Sequence, residues 1–373
     1  MNAPTAEESS EQQSAGFGAR VGTFVRGISR RVWTLIVAGV LFLVLLVLAM
    51  TLPVPYVVLS PGPTYNTLGT YTVQGQTEPI IVIDGRATNK TTGNLNLTTV
   101  SYSTNKLTVF DALSAWLQSD EVVVPRSSLF PPGKSTEDVN KQNTAEFAES
   151  QDDAVAAAGC ELGYPPKFGV LTVLSDGASH DKLEPGDLLD TVAGQRTESQ
   201  AALLAVLSKH KPGETVVVGV TRLGKPLDVP ITLGKPLDGR EGASLGITAG
   251  SVCQMPFTVD LGLGNQIGGP SAGMMFALGI IAKVGPENLT DGRFIAGTGT
   301  IDRTGKVGAI GGIQLKMIAA HNAGATLFLA PAANCDDVRG AIPDGLDVVK
   351  VSTLHDAVRD LEATEKKQPV PHC

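Results

Sequence analysis

From Val32 to Met50 the sequence reads VWTLIVAGVLFLVLLVLAM, 19 consecutive residues without a charged side chain. As a helix rising 1.5 Å per residue, such a run is about 28 Å long, close to the roughly 30 Å of bilayer hydrocarbon. A helix in a soluble core usually keeps its apolar residues to one stripe, whereas this one is apolar all round, so residues 32–52 are expected to span a membrane. Trp33 and Tyr56 suit the two interfaces. Arg20, Arg26, Arg30 and Arg31 precede the run, and no Lys or Arg occurs from Thr51 to Gly85, which places the N-terminus in the cytoplasm. A cleaved signal peptide would have a shorter apolar region, about 7 to 15 residues, and a small-residue cleavage site, which is not found after Leu48. Residues 1–31 are therefore read as a cytoplasmic disordered tail, its first part small, polar and without apolar periodicity. Everything from Pro53 onward is expected outside the cytoplasm.

With 373 residues, 42% hydrophobic and 18% charged, the chain has room for two or three folded units and enough apolar content to build their cores. Four cysteines are too few for a disulfide scaffold, and a formal charge of −8 argues against binding the phosphate backbone of nucleic acid. Cys160, Cys253, Cys335 and Cys373 all fall on the oxidising side, in no zinc or CxxC spacing. A disulfide among the first three and reduced buried thiols remain equal alternatives, and no metal is inferred. Residues 53–158 read as an extracytoplasmic juxtamembrane α/β region. In it TEPIIVID and NLNLTTVSY are strand-like, VFDALSAWLQ is a helix, and RSSLFPPGKSTEDVNKQNT is a polar loop. The helix TAEFAESQDDAVAAAG then ends at Gly159. PPGKST is not a phosphate-binding loop, because the first glycine of that pattern is replaced by Ser128. No cofactor is expected.

Residues 159–236 alternate strand, turn and helix. In Leu183-Glu184-Pro185-Gly186-Asp187, Pro185 presets a turn, Gly186 tolerates positive φ, and Leu188, Leu189 and Val192 follow into a core. The piece resembles the PDZ family, which captures an extended peptide between a sheet edge and a helix. The resemblance implies a groove between the strand near Phe168–Leu171 and the helix Gln200–Lys209. GYPPKFG stands where a glycine–hydrophobic carboxylate-binding loop is sought, and a purely structural spacer is the alternative.

Residues 237–363 carry the chemistry, followed by a frayed tail, 364–373. Gly269-Pro270-Ser271-Ala272-Gly273 satisfies G-x-S-x-G, and a serine hydroxyl needs a base to become a nucleophile. Asp302 with His321, or Asp336 with His355, supplies the order of a Ser-Asp-His hydrolase, but the glycine-rich, polar LGLGNQIGG makes a poor strand before the serine. Lys316 fits better. It lies on a helix beginning after Gly311 and Gly312, with Ile313 and Ala320 on the same stripe, where desolvation and the helix N-terminus both depress its pKa.

These elements resemble the proteolytic domain of Lon-type serine proteases. The matching elements run from the GPSAG segment through Thr298 and Gly299 to Ile310, Gly311, Gly312 and the lysine helix, and order and spacing agree over about 120 residues, from roughly Ser244 to Glu362. With the apolar span and the PDZ-like unit, the chain is similar to membrane-anchored PDZ-containing Lon-like proteases of the actinobacterial type. The resemblance implies an α+β fold with an N-terminal transmembrane helix, a PDZ-like domain and a C-terminal Ser-Lys protease domain. Ser271 would be the nucleophile, Lys316 the general base, and Thr298 the hydroxyl that holds the lysine. The Ser271 N–H would serve the oxyanion hole. Many ATP-dependent relatives have an acidic residue three positions before the serine, where this chain has Gly268. The implied activity is ATP-independent cleavage of unfolded or peptide substrates, with a homo-oligomer implied by the family. The rival is a membrane-tethered PDZ adaptor whose Lon-like domain is weakly active or inactive.

Overall fold

The computed structural model describes residues 29–73, 75–103, 105–236, 241–263, 267–286 and 288–373, so most of the N-terminal tail expected to be disordered lies outside the described residues. Helix α1, Arg30–Thr51, contains the apolar run, and the Ser29 hydroxyl accepts from the Val32 N–H at its start. None of its residues is buried by the rest of the chain.

The main sheet has six strands. In chain order they are β1 (Tyr56–Asn66), β2 (Asn94–Tyr102), β3 (Val122–Pro125), β9 (Phe294–Gly297), β10 (Leu327–Pro331) and β11 (Asp347–Val351), and across the sheet they run β11-β10-β9-β2-β1-β3. β9, β10 and β11 are parallel, β2 runs parallel to β9, and β1 is antiparallel to its two neighbours. The region 53–158, expected as a juxtamembrane unit, therefore supplies half of this sheet. Alternation of side chains across the pleat explains the layers. Leu95, Leu97, Leu329 and Val349 point to one face and pack on helix α5, Gly273–Val284. Ala296, Phe328, Ala330 and Val348 point to the other and pack on helix α6, Ile313–Asn322. Helix α5 is apolar on every side because helix α3, Thr136–Glu161, covers its remaining surface, with Phe147 edge-on to Phe276.

Helix α3 starts earlier than the polar loop expectation allows. Ser135 and Asp138 form a reciprocal capping box, which nucleates a helix through the hydrophilic STEDVNKQNT. It also continues past Gly159, where a Cβ would collide with the Cys253 carbonyl, so this glycine serves packing and does not end the helix. Cys160 is disulfide-bonded to Cys253, and Cys335 to Cys373. The tail after helix α7 (Leu354–Glu365) is consequently not frayed: besides its disulfide, the Lys350 N–H donates to the Pro371 carbonyl at 2.9 Å.

The second sheet has the order β7-β6-β5-β4-β8, made of β4 (Lys167–Val173), β5 (Leu188–Val192), β6 (Thr215–Arg222), β7 (Lys225–Thr232) and β8 (Ile247–Val252), with the two-residue strand Gln195–Arg196 paired to β5 off this path. Helix α4, Gln200–Leu207, packs on it through Leu203, Val206 and Leu207, giving a PDZ-like unit. The Pro-Gly-Asp turn is tied by its aspartate. Buried Asp187 accepts from the Glu184 N–H and makes a two-pronged ion pair with Arg222, at 2.8 and 2.7 Å. The groove lies elsewhere than expected. β4 is paired on both sides, with β5 and β8, so its edge is closed to a peptide. Of the two edge strands, β7 and β8, it is β8 that lies beside α4, and a groove of about 390 Å³ runs between Ala243–Ala249 and α4. The glycine–hydrophobic pattern sought at GYPPKFG is present here as Leu245-Gly246-Ile247, directly before the edge strand.

Candidate active site

Ser271 lies in the turn before α5, and Lys316 lies one turn into α6, on the opposite face of the sheet. The two meet just beyond the end of β9, where Thr298 follows Gly297. The α6 cap is Gly312, in the left-handed region at φ 68°, a conformation that a side chain would oppose.

Lys316 Nζ is 2.7 Å from Ser271 Oγ and 2.9 Å from Thr298 Oγ1. The Thr298 hydroxyl donates to the Ser271 carbonyl at 3.0 Å, and the Gly299 N–H donates to that same oxygen at 2.9 Å. Thr298 is fully buried and Lys316 is 3% exposed, while Ser271 stays half-exposed. No carboxylate pairs with Lys316 among the described residues. Burial accordingly pushes the lysine from its ordinary 10.5 down to about 7. An amine at that value is half neutral at physiological pH and can accept the proton of a hydroxyl in contact with it.

The histidine alternatives do not assemble. His355 pairs with Glu161, Asp336 with Arg339, and Asp302 accepts from Thr304 and Lys306 within its own turn.

The loop that carries Ser271 is braced by α3, which sequence reasoning missed. The Gly269 N–H donates to the Asn143 carbonyl at 2.9 Å, and the buried Ser150 hydroxyl donates to the Pro270 carbonyl at 2.8 Å. A trans peptide carries its C=O and N–H on opposite sides, so fixing the Pro270 carbonyl also fixes the direction of the Ser271 N–H. That N–H has no acceptor in the chain among the described residues, which leaves it free for an incoming oxygen. Gly268 packs on the same helix, where a Cβ would stand 2.8 Å from Asn143 Cβ. A side chain at 268, acidic or otherwise, would therefore have to displace Asn143. Ser150→Ala is expected to lower kcat about three- to tenfold with KM little changed, the worth of one neutral hydrogen bond. Steady-state kinetics on a peptide substrate would check it.

The Lon protease (S16) C-terminal proteolytic domain family matches residues 265–362. Residues 265–362 are thus similar to the proteolytic domain of Lon proteases. The match begins just before the GPSAG turn and takes in the lysine helix. A Lon protease of Campylobacter concisus is 35% identical over 105 residues, which cover 26% of this chain and 12% of that protein. Another from Azospirillum brasilense is 28% identical over 194 residues, 49% of this chain and 24% of its own length. The chain thus spans a quarter or less of these curated Lon relatives. Among solved structures, the PDZ domain of an SdrC-like protein from Listeria monocytogenes is 26% identical, with 85% of that domain and 22% of this chain covered and a TM-score of 0.21.

Proposed function

We propose that this protein is a membrane-anchored, ATP-independent serine endopeptidase whose Lon-type domain works through Ser271 and Lys316. The observation that carries the reading is the 2.7 Å contact between the lysine amine and the serine hydroxyl in a buried site that holds the amine near neutrality. Neutral Lys316 takes the Ser271 proton as Oγ attacks the scissile carbonyl, and the oxyanion that forms is met by the Ser271 N–H. The lysine returns the proton to the leaving amine, and an acyl-enzyme remains. Water then attacks the ester with the same amine as base, which regenerates the serine. Thr298 orients the amine by accepting one of its hydrogens.

Substrates are unfolded or peptide segments presented along β8, whose open edge offers strand addition beside α4. The anchor is α1, with the N-terminus cytoplasmic and the rest outside. Pairing of all four cysteines fits an oxidising compartment. ATP independence is supported at PPGKST: Ser135 caps α3, and Ser128 sits in a short helical turn, so the segment does not form a phosphate cradle. The adaptor reading rests on Gly268 and on the missing ATPase motif, and the packing of α3 bears on the first of these.

The test is digestion of casein by the full chain in lipid nanodiscs, without ATP, beside Ser271→Ala. Cleavage by the wild type alone supports a protease. Equal residue from both proteins, with peptide binding retained, favours the adaptor. The pH dependence is a further expectation. Since the neutral amine is the active form, kcat/KM should fall about tenfold between pH 8 and pH 6 as Lys316 becomes protonated, and a flat profile would contradict its role.

A further inference from the structure

Helix α2, Val109–Trp116, turns its large apolar side chains outward. Val109, Phe110, Leu113, Trp116 and the capping Leu117 are 38–74% exposed, while the helix buries only Ala115. At 100° per residue these five side chains form one stripe about 120° wide, inverted relative to the amphipathic pattern of a water-facing helix. The helix is well formed, with a reciprocal Thr108–Asp111 capping box, so the stripe is a built surface.

Its position identifies what covers it. α1 ends at Thr51, and two residues later Pro53 bridges to Thr108, the cap of α2, while the Val54 N–H donates to the Leu107 carbonyl at 2.8 Å. The start of α2 is thereby tied to the point where the apolar span ends. α2 also packs against α1, and Leu46 and Ala49 in the last turns of α1 are half-buried. Leu46 lies about 7 Å below Thr51 along the helix, the depth at which interfacial helices seat their apolar face. Trp116 and Tyr56 are residue types that favour that zone.

We infer that α2 is an interfacial helix whose Val109-Phe110-Leu113-Trp116-Leu117 face docks into the headgroup–acyl boundary of the bilayer crossed by α1. The inference rests on the reading of α1 as a membrane span. It gives the protein a second attachment, which fixes the tilt of the main sheet, since β1 rises directly from the docked end at Tyr56.

The two tryptophans of the chain allow a direct test. Full-length Trp33→Phe, which reports Trp116, and Trp116→Phe, which reports Trp33, are reconstituted in bilayers with and without lipids brominated near the headgroup end of the acyl chains. Docking predicts that Trp116 emission is blue-shifted and loses more than half of its intensity to the bromines. It also predicts that adding Phe110→Gln, Leu113→Gln and Leu117→Gln, all at exposed positions, restores most of that intensity with Trp33 quenching unchanged. Quenching of Trp33 alone, with Trp116 emitting as in water, would overturn the docking while leaving the span intact. Blue-shifted but unquenched Trp116 would overturn it in favour of a second copy covering the face. Absence of quenching at both tryptophans would overturn the span and the docking together.

Discussion

Replacing Lys316 with methionine is expected to lower peptide-bond cleavage about a thousandfold or more while leaving the fold as stable as before, or more so. The loss follows from the geometry, because among the described residues the lysine amine is the base in contact with Ser271 Oγ. The stability outcome follows from the sign of the pKa shift. Unfolded, the lysine holds its proton up to about its ordinary 10.5; folded, it releases it near 7. Between those values the unfolded state binds more protons, so stability rises with pH across this window, and at pH 7 burial of the amine is still a cost. Methionine has similar length and no charge, so it removes that cost while filling most of the space. Casein digestion and thermal melts at pH 7, run side by side, check both halves. A variant that is inactive because it is unfolded would contradict the account.

Placing an acidic residue three positions before Ser271 is expected to lower the proposed activity. Gly268→Asp places a Cβ 2.8 Å from Asn143 Cβ, and α3 cannot retreat without loosening the Ser150–Pro270 and Asn143–Gly269 bonds. Overpacking of this kind costs about 1–3 kcal/mol, and because it bears on the loop that aims the Ser271 N–H, activity should drop about tenfold or more. Compensation distinguishes this cause from an effect of charge. Asn143→Gly removes the colliding atom, and the next neighbours of a Cβ at 268 are 3.6 Å away or further. The pair Gly268→Ala and Asn143→Gly should therefore recover most of what Gly268→Ala loses, as measured by kcat on a fixed peptide.

The parts legible in the sequence were those written in local periodicity and turn chemistry. Gly312 before Ile313, Lys316 and Ala320 signals a helix whose lysine faces inward, and the structure buries that lysine. The apolar helix α1 and the Pro185-Gly186-Asp187 turn are of the same kind. What stayed hidden depends on pairing between distant segments. Nothing in NLNLTTVSY says that Asn94–Leu97 will lie parallel to Phe294–Gly297, and this pairing draws the region after α1 into the main sheet. The PDZ resemblance puts the groove beside β4, but Val170 is buried within a sheet that β8 extends by one strand. The usable signal was Leu245-Gly246-Ile247. For α3, the signal was Ser135 followed three residues later by Asp138, a capping box outweighed by the polar composition around it.

The central claim is that Ser271 is a nucleophile because Lys316 takes its proton. A serine-directed fluorophosphonate, applied to the full chain over a range of pH and followed by peptide mass mapping, tests it most directly. The account predicts a single adduct on Ser271, formed at a rate that rises through pH 7 and is lost in Lys316→Met. An adduct that forms equally fast without the lysine, or none on Ser271 in a folded wild-type protein, would contradict it.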